Sequence, residues 1–443
     1  MTNHLIKTAT ALVLGLSLAA CSSGSGQDEV LPGDREPIRS DEGFAGVIPS
    51  EVIGSAAISI PRARAFSNWT HRGSDIDHVQ DHAALAGELS LAWTSEIGSG
   101  NDRRHRVTAE PVASRGQIYT LDSAGLVSAL TPDGAIVWQA SVAPSFEPFD
   151  ASGGGLAIDG ETLYVSSAFG TLHALETETG GQRWKQTLDA SGVAAPTVAG
   201  GIVYVGGGDS RAWAINASTG RINWTFAGVP SDQSFAGGAS PAIGRSLAIF
   251  PFANGDVQAV FRRGGFGRWN ASVSGTREGF AVTRISDIVA DPVIDNGRVY
   301  VGNFSGRITA LNGTTGTRIW TAQQGTNASI LPVGRNDLFT ITDQNQLIRL
   351  SAKDGSTIWS LQLPHYVDEA EKRRGEVVVN YGPVLAGGRL IVASSDGVLR
   401  QFSATDGSNL GNVDLPAGAA SSPIVVDEVL YVVTAKGQLA AFR

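Results

Sequence analysis

The chain holds a single cysteine, Cys21, in 443 residues. One thiol can form no intramolecular disulfide and can build no cysteine-based metal site. Positive charge is also scarce: 33 Lys and Arg stand against 42 Asp and Glu, a formal net charge of -9. A nucleic-acid binder needs surplus Lys and Arg to neutralise phosphates, so no nucleic-acid partner is expected. Long apolar runs are missing too. The longest stretch, Ala9 to Ala20, falls short of the roughly 20 residues that span a bilayer as a helix. No nucleophile elbow, phosphate loop or paired catalytic carboxylates can be found. What is abundant is turn chemistry: 55 Gly and 18 Pro beside 9 Trp, with only 17% charged residues, describe many short strands joined by tight turns.

The N-terminus has its own logic. A short polar start with Lys7 leads into the apolar run, which reads as the core of a signal peptide over residues 1–20. Leu18-Ala19-Ala20-Cys21 resembles a bacterial lipobox, which makes Cys21 the lipidated N-terminus, and Ser22 in place of an Asp favours the outer membrane. Residues 21–55 are rich in Ser, Gly, Pro, Asp and Glu and poor in large apolar groups, the composition of a tether that cannot bury enough surface to order itself.

Beyond the tether a phrase recurs, a Gly followed four residues later by a Trp. It occurs at Gly134/Trp138, Gly180/Trp184, Gly220/Trp224, Gly265/Trp269, Gly316/Trp320 and Gly355/Trp359. A second phrase, a Pro opening an alternating apolar strand, occurs at Pro111, Pro196, Pro241, Pro292, Pro332, Pro383 and Pro423, with Gly155 standing in once. The opener and the Trp lie 27 to 29 residues apart, so one unit of four strands is being copied. A small sheet cannot bury both its faces alone; copies must stack in a ring. The expectation is an all-β, eight-bladed β-propeller of four-stranded antiparallel blades.

The eighth unit starts at Pro423 and its fourth strand would fall past the final Arg443. Residues 89–97, with Trp93 but no preceding strands, supply that strand and close the ring over 89–443, which leaves no open edge at either chain end. Around Gly407 the phrase is imperfect, with Gly411 where a Trp is expected. The indoles of Trp93, Trp138, Trp184, Trp224, Trp269, Trp320 and Trp359 are expected to pack between blades and hydrogen-bond through their N–H groups, because a ring of copies cannot converge on one ligand. Residues 56–88 are expected to cap the propeller. Within them Asp75, Asp77, His78, Asp81 and His82 cluster, with His78 and His82 on one face of a short helix; the third ligand and the glutamate of a zinc hydrolase are missing, so no metal is expected. The basic runs Arg103-Arg104-His105-Arg106 and Lys372-Arg373-Arg374 read as solvated loops.

The Gly-to-Trp phrase resembles the repeats of pyrroloquinoline-quinone dehydrogenases and is shared by the BamB family of outer-membrane assembly lipoproteins; the resemblance covers about residues 30 to 443, from Leu31-Pro-Gly-Asp-Arg35 through all eight blades. The quinone enzymes characteristically carry a vicinal Cys pair, impossible here, so the resemblance implies no cofactor and no enzyme. The BamB resemblance implies a scaffold monomer in a hetero-complex at the periplasmic face of the outer membrane, bound to a BamA-like barrel and meeting unfolded outer-membrane protein clients. It also implies contact loops. Arg284, Ser286 and Asp287 match a family pattern whose second Asp is Val289 here, with Asp291 as its substitute. Phe235, in Gln233-Ser-Phe-Ala-Gly237, keeps an apolar contact while Ala236 stands in for an arginine. The alternatives are a quinone-dependent or degenerate quinone-binding propeller, and a scaffold for another envelope complex.

Overall fold

The computed structural model describes residues 54–144, 153–190, 194–231, 238–273, 275, 287–368, 370 and 375–443. The signal peptide, Cys21 and almost all of the tether lie outside them, as do Phe235, Arg284, Ser286 and Lys372-Arg373-Arg374. Among the described residues there is no helix, and the strands form eight four-stranded antiparallel sheets arranged as a propeller: blades 1 to 7 run in chain order over residues 112–141, 154–187, 197–227, 242–272, 293–322, 331–362 and 380–414, and blade 8 joins residues 424–442 to Leu91–Glu96.

Blade 3 shows why the chain folds this way. Its strands are Thr197–Ala199, Ile202–Gly206, Arg211–Asn216 and Ile222–Ala227. Between the first two, Gly200 and Gly201 take φ of +61° and +75°, the pair of left-handed conformations a two-residue hairpin requires and only Gly adopts freely. The inner strands are rich in β-branched and aromatic residues and almost wholly buried, because both faces of a blade are covered by its neighbours. The fourth strand, at the rim, alternates between exposed and half-buried positions. Hydrophobic layers therefore lie between blades: Leu163 and Val165 of blade 2 pack with Tyr119 and Val127 of blade 1, and Val203 and Ile215 of blade 3 with Tyr164 and Leu172 of blade 2.

The ring closes between chain termini. Leu91–Glu96 pairs antiparallel with Gln438–Phe442, Trp93 opposite Ala441, which completes blade 8.

The Gly-to-Trp phrase turns out to serve two interfaces. In blades 1 to 6 the third and fourth strands slip by one residue beside the Trp, as between Ala214 and Ile215, and this bulge bends the strand. The indole N–H then reaches the next blade: Trp138 Nε1 donates to the Thr177 carbonyl at 2.8 Å, and Trp184 Nε1 to the Ala217 carbonyl at 2.9 Å. The phrase's glycine receives the indole of the preceding blade. A Cβ on Gly220, where φ is +72°, would lie 2.7 Å from Trp184. Thus Gly220 and Trp224, four residues apart, lock opposite sides of one blade. At Gly411 the indole is missing, and blades 7 and 8 meet without it.

Candidate functional site

First strands of adjacent blades meet at the hub, and residues 54–88 run across it as an extended cord. Trp69 exchanges backbone hydrogen bonds with Ala113 of blade 1 at 2.7 and 2.8 Å. The Thr70 carbonyl accepts from Ile158 of blade 2, His71 Nε2 from Val198 of blade 3, the Ile76 carbonyl from Ile243 of blade 4, and the Asp77 carbonyl from Ile294 of blade 5. Ala83 donates to Leu385 of blade 7 and accepts from Gly387, while the Phe66 carbonyl accepts from Asp427 of blade 8. Exposed backbone groups of the inner strands thus find partners along a single segment, which satisfies donors that a dry hub would strand.

The histidines are staples rather than ligands. His82 Nδ1 donates to the Pro61 carbonyl at 2.6 Å and its Nε2 accepts from Gly388 at 2.8 Å, whereas His78 Nδ1 donates to the Pro292 carbonyl at 2.8 Å. The helix expected over this stretch does not form, because its backbone is spent on bridging blades; His78 faces blade 5 and His82 blade 7. His71 must stay neutral to accept from Val198, and burial, followed by the nearby His78, pushes its pKa down to about 4.

At the start of the first strands lies a polar cavity of about 240 Å³, lined among others by Arg72, Glu110, Asn327, Asn380, Tyr381 and Ser421. Arg72 reaches into it from the cord. Its Nε stands 3.0 Å from Asp291 Oδ2 and 3.8 Å from Glu110 Oε1, and its Nη1 donates to the Gly238 carbonyl at 3.1 Å. Burial opposes the guanidinium charge, yet Asp291 and then Glu110 more than offset this and raise its pKa. Burial raises the Glu110 pKa in turn, partly countered by Arg72. Two carboxylates converging in a propeller hub invite comparison with a divalent-cation site. The donor set does not fit one: the guanidinium already occupies the space between them, and a bound dication would have to stand against it unscreened. Among the described residues no group of three or more His, Cys, Asp and Glu side chains is arranged to hold a metal.

The expected contact loops flank blade 4. Asp291 is 0% exposed, with Oδ1 accepting from the Ser240 backbone at 2.6 Å and Oδ2 beside Arg72. Asp287 is 4% exposed and its carbonyl accepts from Phe304. Both aspartates expected to meet a partner are thus buried: the chain re-enters the hub at this point, and burying an aspartate requires partners, which the interior provides for Asp291. The consequence is a cross-tie. Arg72 and Asp291 together bind residues 238–240, after the first loop, to residue 291, after the second. That role of Arg72 carries no sequence signal beyond an Arg in a polar stretch.

Arg349, 1% exposed, occupies the third-strand position that is Ala in blades 1 to 5. It pairs with Asp337 at 2.9 and 2.8 Å and donates to the carbonyls of Ala56, Ala57 and Thr405. Arg389 similarly holds the Ala86 carbonyl and Gln401. These two arginines fasten the ends of the cord.

Several known proteins share this build. The crystal structure of BamB from Moraxella catarrhalis covers 80% of this chain and 100% of its own, at 17% identity and a TM-score of 0.67. A europium-containing methanol dehydrogenase covers 85% of this chain and 98% of its own, at 16% identity and a TM-score of 0.62, so the likeness to both is one of fold. In sequence, the outer membrane protein assembly factor BamB of Yersinia pestis is 25% identical over 358 residues, 79% of this chain and 88% of its own length. That of Escherichia coli K12 is 26% identical over 351 residues, 77% and 86% respectively. The profile of the family described as outer membrane protein assembly factor BamB matches residues 123–361 and 305–443. With that match covering most of the propeller, the chain belongs to the BamB family of outer membrane protein assembly factors.

Proposed function

We propose that this chain is a non-enzymatic scaffold subunit of the outer-membrane β-barrel assembly machinery. Lipidated at Cys21 and carried on the tether of residues 21–55, it faces the periplasm, binds the periplasmic domains of a BamA-like barrel, and helps unfolded outer-membrane proteins assemble. Its mechanism is positioning, and no reaction is involved. The observation that carries this reading is the cross-tie between the residues that follow the two loops in the chain. Arg72 and Asp291 hold residues 238–240 and 291 in one rigid frame at one end of the hub. Loops with pre-ordered bases bind at a smaller entropic cost. Arg284, Ser286 and Phe235 belong to those loops and are the proposed contact residues, while Asp287 and Asp291 act from beneath.

The test is an affinity purification of the tagged full chain from its detergent-solubilised native envelope, beside Arg284→Glu and Phe235→Asp variants. Recovery of a BamA-like barrel with the parent chain and its loss with the variants is expected. Recovery of no such barrel, or equal recovery with both variants, overturns the assignment of partner or of contact face.

A further inference from the structure

Seven blades have a turn between their third and fourth strands, and blade 4 departs from the rest. Four residues before the phrase's glycine, blades 2, 3, 5, 6 and 7 carry the polar residues Glu176, Asn216, Asn312, Ser351 and Ser403, and blade 1, whose turn is one residue shorter, closes it with Thr131, three residues before Gly134. Asn216 Oδ1, for instance, accepts from the backbone of Ser218 and Thr219, and Asn312 Oδ1 from that of Thr314 and Thr315. Blade 4 has Phe261 there, which cannot close a turn and is 45% exposed. The turn itself reads Arg262-Arg263-Gly264-Gly265-Phe266, followed by Gly267 and Arg268, with Phe266 74% exposed.

The lock beneath the turn is nevertheless intact. Trp224 Nε1 donates to the Arg262 carbonyl at 3.1 Å, and Gly265, at φ +69°, lies against the Trp224 ring. Local turn chemistry has been given up while the backbone stays held, the pattern expected of a functional site.

Two grooves flank this blade, of about 440 Å³ toward blade 3 and about 470 Å³ toward blade 5. They share Arg245 and Phe261 as a common wall. Arg262, Arg263 and Tyr204 line the first; Arg268 and Ile294 line the second. Arg262 is pinned in place by the Gly244 and Arg245 carbonyls and lies over the Tyr204 ring. Elsewhere Arg298 and Arg318 bond to backbone carbonyls, while Arg115, Arg183, Arg211, Arg349 and Arg400 find carboxylates. Among the described residues none lies within ion-pair distance of Arg245, Arg262, Arg263 or Arg268. Four cations concentrated on one blade of a chain with net charge -9, around one groove of mixed lining with Ile202, Tyr204 and Phe261 and a second, mainly apolar one, are complementary to an acidic ligand bearing apolar side chains.

We propose that this end of blade 4 docks an extended peptide segment in which carboxylates alternate with aromatic or large aliphatic side chains. The carboxylates pair with the arginines and the apolar groups enter the grooves on either side of Phe261. Concavity favours a peptide over a lipid surface, which would meet a protruding face better, and the chain's overall negative charge opposes an anionic bilayer. The turns lie at the opposite end of the blade from residues 240 and 291, so this surface is separate from the proposed contact face for a barrel partner and does not depend on it.

The experiment uses the full chain in detergent and a fluorescent peptide of about ten residues alternating Asp with Phe, long enough at about 3.4 Å per residue to cross both grooves. Saturable binding is expected, about tenfold weaker in Arg263→Glu/Arg268→Glu, weakened again in Phe266→Ser, and falling as salt rises from about 50 to about 500 mM. Arg115→Glu, at an exposed arginine of blade 1, should leave it unchanged. Both blade 4 variants alter exposed side chains and should retain the parent's unfolding midpoint. Equal binding of a Lys-Phe peptide, equal binding by the double variant, or binding of phosphatidylglycerol vesicles without the acidic peptide overturns the proposal.

Discussion

Replacing Arg349 by Met should release the start of the hub cord while the ring stays closed. The guanidinium makes two contacts of 2.9 and 2.8 Å to Asp337 and three more to the carbonyls of Ala56, Ala57 and Thr405, from 2.7 to 3.1 Å. Met fills most of the volume but leaves the buried Asp337 carboxylate without its cation, which costs about 3–5 kcal/mol for a broken buried pair. The carbonyls matter less. Ala56, Ala57 and Thr405 are exposed, so their oxygens can turn to water. Replacing Asp337 as well, in Arg349→Met/Asp337→Leu, removes the stranded charge and should return stability to within about 1–2 kcal/mol of the parent. Denaturant unfolding followed by tryptophan fluorescence measures the global loss. Limited proteolysis at residues 54–66 reports the cord, which should be cut faster in both variants. A single variant costing under about 1 kcal/mol, or a double variant no more stable than the single, would refute the electrostatic account.

Further expectations follow from the blade locks, the hub and the loops. Trp184→Phe should cost only about 1 kcal/mol of hydrogen-bond free energy plus some packing, because the Ala217 carbonyl still accepts from Tyr164 Oη at 3.1 Å. Gly220→Ala should cost more, with about 1–2 kcal/mol from the left-handed conformation alone and a Cβ 2.7 Å from the Trp184 ring; equal urea midpoints for the two variants would contradict the lock. The depressed pKa of His71 makes the unfolded chain bind the extra proton, so stability is complete above about pH 6.5 and declines toward about pH 4, by roughly 3 kcal/mol at 1.36 kcal/mol per unit. Glu110, raised by burial, acts in the opposite sense, so the measurement compares thermal midpoints of the parent and His71→Gln at several pH values; a parent slope equal to the variant's would remove His71 from the account. For the proposed function, charge reversal at Arg284 should abolish recovery of a barrel partner without moving the unfolding midpoint.

Much of the fold was legible because propeller blades are local objects. Strands of period two, Gly at left-handed turns and a Pro at the strand start are all set within about 30 residues, and the copy number gives the ring. Counting past Arg443 was enough to place the closing strand at the other end of the chain, since an unpaired edge is the alternative. The indoles were legible as interblade groups, although their depth was not. Trp359 is 1% exposed, whereas Trp93 and Trp138 remain half-buried, because the rim strand has solvent on its outer side.

The sequence by itself therefore determined the architecture, the number of blades and the spacing of the locks, all of which follow from short-range pattern and repetition. Only the tertiary structure decided which polar residues are interior. Asp291 and Asp287 resemble surface loop residues until Arg72, more than two hundred positions away, is brought through the hub to neutralise Asp291. His78 and His82 resemble a ligand pair until the cord commits each to a different blade. Arg349 stands out only as a departure from the Ala of five other repeats until the cord is laid across it. Burial of a charge is a property of what surrounds it in space, and in a ring built from copies the surroundings of the hub come from every blade at once.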